Sequence, residues 1–82
     1  MRVYNSQLKT ITKDNLQPFE MLTILDLRSN QLTSIEPKLF IFNPKLARIY
    51  FASNQINEIS EDVFDHIPSY ARIDFVDNIY YE

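Results

Sequence analysis

Eighty-two residues, 45% of them hydrophobic and 23% charged, make one folded module at most, because cores shrink quickly below roughly 100 residues. A net charge of −3 gives no broad basic footprint for a phosphate backbone, which argues against nucleic acid as a partner. Cysteine is absent, which excludes disulfide staples and thiolate metal sites, and the longest apolar run, Leu39-Phe40-Ile41-Phe42, is far short of the roughly 18 residues of a membrane span.

After Met1 comes Arg2-Val3-Tyr4-Asn5-Ser6-Gln7, which lacks the apolar core of a secretory leader. Val3, Leu8, Ile11 and Leu16 then fall at spacings that return later, and Thr12 is a good N-cap type for a short helical turn. The next segment reads Leu22-x-x-Leu25-x-Leu27-x-x-Asn30-x-Leu32-x-x-Ile35. Its alternation at Leu25-x-Leu27 predicts a short strand with Asp26 and Arg28 turned away from the core. Glu36-Pro37 follows at a place where proline tolerates a first helical turn, and Phe40 is expected to fill the interior from that return arm.

Twenty-four residues on, the pattern recurs as Leu46-x-x-Ile49-x-Phe51-x-x-Asn54-x-Ile56-x-x-Ile59, with Ser60 in the cap column, Phe64 in the column of Phe40, and Ile67-Pro68 matching Asn43-Pro44. It begins again with Tyr70, Ile73, Phe75, Asn78 and Tyr80. Subtraction in the other direction places Ser6 in the Asn column. The columns therefore divide the chain into a partial repeat at 1–21, repeats at 22–45 and 46–69, and a partial repeat at 70–82. One such turn cannot bury its own apolar face, so stacked neighbours supply the core. Asn30, Asn54 and Asn78 would form a structural ladder, bonding backbone groups that a tight turn leaves unpaired. No glycine occurs, so no glycine-dependent turn or phosphate loop is expected.

These registered motifs resemble the leucine-rich-repeat family over essentially the whole chain, and the period resembles its 24-residue class, common in extracellular animal receptors and adhesion or immune proteins. The resemblance implies an α/β solenoid. Its coil would be right-handed and uncapped, with four short parallel strand positions on the concave face and irregular or short-helical return arms. It also implies a protein-protein interaction module, a fragment of a larger receptor, adhesion or immune-type protein, located outside the cell or at its surface. A cytoplasmic location and a structural spacer with no ligand of its own are the alternatives. Extracellular members generally seal their ends with cysteine-bearing caps, and neither end here has one. Together with halves of charge +3 (residues 1–48) and −6 (residues 49–82), this suggests head-to-tail self-association. No Asn-x-Ser/Thr sequon bears on location.

No catalytic residues and no cofactor are expected: the only histidine is His66, and nucleophile and nucleotide motifs are missing. Glu58, Glu61, Asp62, Asp65 and His66 form the densest polar group, read as solvated charge on the non-strand arm rather than as a cation site. Function should lie in outward strand positions. These form columns Ile24, Arg48 and Arg72; Arg2, Asp26, Tyr50 and Asp74; Tyr4, Arg28, Ala52 and Val76; and Asn5, Ser29, Ser53 and Asp77. Arg28, Arg48, Tyr50, Arg72 and Asp74 are the candidate protein-binding residues, having the aromatic-plus-arginine character of interface hot spots. The competing reading pairs Arg48 and Arg72 with Asp26 and Asp74 across neighbouring strands, a pairing worth little at an exposed surface.

Overall fold

Apolar columns repeating every 24 residues bring equivalent backbone segments side by side, and in the computed structural model, which describes residues 1–79, they pair in parallel. Strands β1 (Ile24–Asp26), β3 (Arg48–Tyr50) and β5 (Arg72–Asp74) form one sheet in that order; β2 (Ser34–Ile35) and β4 (Glu58–Ile59) form a second. The register aligns Ile24 with Arg48 and Arg72, Leu25 with Ile49 and Ile73, and Asp26 with Tyr50 and Asp74. Of the four strand positions expected, the first is reduced to a single parallel bridge between Arg2 and Asp26. It is held by Val3 N–H on the Asp26 carbonyl and Asp26 N–H on the Met1 carbonyl, both 2.8 Å.

The second sheet has no counterpart in the sequence reading. It arises because the chain leaves each Asn turn extended: Gln55 N–H donates to the Leu32 carbonyl (2.9 Å) and Asn57 N–H to the Thr33 carbonyl (2.9 Å), so stacking continues past the corner.

Between the sheets lie Leu16, Leu25, Leu27, Leu32, Ile35, Leu39, Phe40, Leu46, Ile49, Phe51, Ile56 and Val63, all essentially sealed from water. The column of Leu22, Leu46 and Tyr70 is not uniformly buried. Leu46 is buried, Leu22 is only partly so, and Tyr70 is 74% exposed, its hydroxyl left in water. Val3, in the column of Leu27, is likewise exposed, and Ile73 and Phe75 are half-buried, because among the described residues the first and last turns have a neighbour on one side only. Tyr80, expected beneath Leu32 and Ile56, lies outside the described residues.

Each return arm solves its turn differently. Thr12 caps helix α1 (Lys13–Leu16) in a capping box, its Oγ1 accepting from Asn15 N–H (3.2 Å) while Asn15 Oδ1 accepts from Thr12 N–H (3.0 Å). The segment after Glu36 forms turns rather than a helix, and the Glu36 carboxylate reaches back to accept from Lys13 N–H (2.6 Å), an orphan donor of α1. Ser60 precedes a 3₁₀ turn, Glu61–Phe64, without capping it: its hydroxyl donates to Asp62 Oδ1 (2.9 Å). That same oxygen accepts from Lys38 N–H (3.3 Å), so an acid from one arm again serves an amide of the arm before it.

Glycine's absence is met by other residues. Asn5, Ser29, Ser53 and Asp77 take φ of 53–60° at one position in each turn. Asparagine and aspartate are the non-glycine residues that visit this left-handed region most readily. The fourth outward column is therefore fixed by backbone demand. Beside it runs the Asn column. Asn54 accepts from Leu32 N–H (3.1 Å) and donates to the carbonyls of Leu27 and Phe51 (2.9 Å each), tying two consecutive turns together. Asn30 and Asn78 make the equivalent bonds, whereas Ser6 in the same column is exposed. A second buried amide, Asn43, donates to the carbonyls of Leu16 and Phe19 (2.9 Å each). Its place in the repeat is taken by Ile67 one turn later, so periodicity gave no warning of it.

Candidate protein-recognition face

Strand pleating sends Leu25, Ile49 and Ile73 inward and their flanking residues to the other side of the three-stranded sheet. On that side Arg48, Tyr50, Arg72 and Asp74 line a shallow depression of about 300 Å³. Arg48 and Arg72 are exposed; Tyr50 and Asp74 are half-buried. Arg28 borders the group, its guanidinium 5.1 Å from the centre of the Tyr50 ring, a distance that suits a cation–π contact. The five candidate residues thus occupy one face.

Asp26 departs from expectation. It lies on the outward side of β1 yet is only 2% exposed, covered by the pair it forms with Arg28. Arg28 Nε donates to Asp26 Oδ1 (2.9 Å), Nη2 donates to Oδ2 (2.7 Å), and Arg28 N–H adds a bond to Oδ1 (3.2 Å). The expected cross-strand pairing of Arg48 and Arg72 with Asp26 and Asp74 does not form: among the described residues the one ion pair is Arg28–Asp26, between the last residue of β1 and the residue two positions on. The reason is geometric. Residues two apart on a strand share a face, and the planar guanidinium fork matches a carboxylate at that separation. The Asp-x-Arg spacing was the available signal. Asp74, at the matching place in β5, has Val76 two residues on and, among the described residues, accepts only from its N–H (3.1 Å).

The Arg28 side-chain hydrogen bonds hold the Asp26 carboxyl below its ordinary value, against the opposing effect of burial. With a folded pKa below the roughly 3.9 of an unfolded chain, the stabilisation is full above that value and is lost as pH falls through the folded pKa. Asp26→Asn should therefore cost about 1 kcal/mol at pH 7, a modest figure because the guanidinium is half exposed. The gap between variant and parent should close as pH falls through the folded pKa, below the ordinary carboxylate value. Urea denaturation from pH 2 to 7 measures it; a gap independent of pH contradicts the assignment.

Elsewhere the acidic arm shows no convergence: among the described residues no three His, Asp or Glu side chains gather around a point where a cation would sit. Asp62 is already engaged by Ser60 and Lys38. No described helix is long and apolar enough to cross a membrane.

Comparison with known proteins agrees with this geometry. A family model described as leucine rich repeat matches residues 20–78. No curated protein and no solved structure matches the chain. With parallel strands in register every 24 residues, Asn side chains bridging successive turns and a family match over most of its length, the chain belongs to the leucine rich repeat family.

Proposed function

We propose that this chain is a protein-recognition segment of a receptor, adhesion or immune-type protein, acting outside the cell or at its surface. In this reading it is a right-handed solenoid whose concave strand face touches the ligand. The family supports the general role, being one of protein-protein interaction modules that are typically non-enzymatic. Right-handedness follows the rule for connections between parallel strands. The observation that carries the reading is the convergence of Arg48, Tyr50, Arg72 and Asp74 on one depression beside the Arg28–Tyr50 stack. Aromatic and arginine side chains held by a rigid sheet lose little entropy on binding, which is why such residues dominate interface energetics.

An array of purified extracellular proteins probed with the labelled chain tests it. Replacing Arg48, Tyr50, Arg72 and Asp74 together by alanine should weaken binding to a protein ligand by about a hundredfold or more, given two hot-spot residues at roughly 2 kcal/mol each. Glu58→Lys with Glu61→Lys, on the return arm, should leave that ligand bound. Equal binding of parent and alanine variant to every protein on the array makes the segment a spacer.

A further inference from the structure

The chain has four arginines and four lysines, and they are sorted: Arg48 and Arg72 lie in strands of the three-stranded sheet, Arg2 bridges to its edge and Arg28 follows β1 by two residues, while Lys9, Lys13, Lys38 and Lys45 all lie elsewhere. Arg48 and Arg72 are direct register partners on adjacent parallel strands, where backbones run roughly 4.8 Å apart. Like charges placed opposite one another across a sheet are unfavourable, so their own sheet gives no reason for the pairing. Neighbouring acids do not relieve it. Asp26 is sequestered by Arg28, and Asp74 forms no ion pair with either arginine. Two guanidiniums therefore stand exposed, with Ile24 beside Arg48 in the same column as an apolar shelf that weakens competition from water.

We infer that Arg48 and Arg72 form a clamp for an acidic side chain, an aspartate or glutamate in an exposed segment of a protein partner. The inference rests on the recognition face proposed above and specifies its chemistry. Guanidinium forks recognise carboxylates bidentately, which lysine does not, and this accounts for the sorting of the two cations between the faces. Tyr50 and the Arg28 plane beside the clamp offer a flat surface for the residue next to the acid. Asp74, at the rim of the same depression, disfavours a second acid on that side, so the matching sequence is one acid in an otherwise neutral or basic stretch.

The test uses the full chain as bait for a random dodecapeptide library displayed on phage, with Arg48→Gln/Arg72→Gln and Lys9→Gln/Lys45→Gln as matched variants of equal charge loss and Tyr50→Ala as a third variant. Circular dichroism establishes that all three are folded. Retained peptides should contain aspartate or glutamate and, made synthetically, should bind the arginine variant about tenfold more weakly in fluorescence polarisation while binding the lysine variant as they bind the parent. Changing the peptide's acid to its amide should produce the same loss. Peptides that require Tyr50 but lack an acid overturn the clamp and leave the recognition face standing. Peptides indifferent to Tyr50, Arg48 and Arg72, or no retained peptide at all, overturn both. An oligonucleotide that displaces the acidic peptides at equal concentration overturns the clamp in favour of a phosphate ligand.

Discussion

Asn54→Asp should lower the melting temperature by roughly 15–30 °C at pH 7, the largest loss expected from replacing a single side-chain atom in this chain. Asn54 is 7% exposed and its Nδ2 donates to the carbonyls of Leu27 and Phe51, each at 2.9 Å. A carboxylate has no proton to donate, so each carbonyl loses one of two amide partners, Leu27 keeping Asn30 Nδ2 and Phe51 keeping Asn78 Nδ2, and the new buried anion faces their negative ends, at a total cost of about 4 kcal/mol. An 82-residue fold has a total stability of roughly 4–12 kcal/mol, so losing about 4 removes a large fraction of it. Asn78, half-buried, makes the equivalent bonds one turn later, to the carbonyls of Phe51 and Phe75, and Asn78→Asp should cost about half as much. The sign of the pH dependence separates this mechanism from simple misfolding. Burial beside carbonyls raises the introduced carboxyl's folded pKa, and its neutral form regains one donor, so the deficit relative to the parent should shrink as pH falls through that value. Thermal melts at pH 7 and 4 measure this. An equal deficit at both would show that charge and donor loss are not the cause.

Much of this fold was legible because repeat-forming residues obey a rule that adds: a residue at one position predicts the type 24 positions away. Leu25, Ile49, Leu27, Phe51, Asn30 and Asn54 follow it and are buried. What escaped was whatever breaks the rule. Asn43 has Ile67 as its counterpart, so its capping role rests on one turn alone. Glu36 and Ser60 share the column of Thr12 but not its task, because capping depends on local side-chain geometry rather than on the apolar spacing that defines the repeat. At the face the limits were similar. Phase alone assigned Arg48, Tyr50, Arg72 and Asp74 to one side of the sheet, since alternation decides which side a residue takes. It did not reveal that Asp26 is buried, because its cover comes from the Arg28 side chain two residues on rather than from the core. That contact decides the electrostatics of the face: with Asp26 committed and Asp74 forming no ion pair with either, Arg48 and Arg72 are left without a paired acid in their own sheet.

Phe51→Ala is expected to cost about 3–5 kcal/mol and to remove the recognition face with it. The Phe51 ring is fully buried, stacked on Phe75 (centroids 5.3 Å apart, 17° between planes) and near-parallel to Phe40 at 6.3 Å; Phe75 in turn meets Phe64 edge-on at 5.9 Å. Four aromatic rings thus connect two strand segments with two return arms, and Phe51 is the link through which Phe40 reaches the rest. In a stacked fold each turn is held mainly by its neighbours, so a void here weakens coupling between turns as well as total stability. Urea denaturation followed by circular dichroism should show a lower midpoint and a shallower slope, the second reporting turns that unfold separately. Phe51→Leu restores the residue type that occupies this column at Leu27, and should keep the slope while losing only about 1 kcal/mol. Because Phe51 follows Tyr50 directly in the chain, the same alanine variant should lose acidic-peptide binding at urea concentrations where the leucine variant still binds. Parent-like slope and binding in Phe51→Ala would mean that the turns do not communicate through the aromatic column.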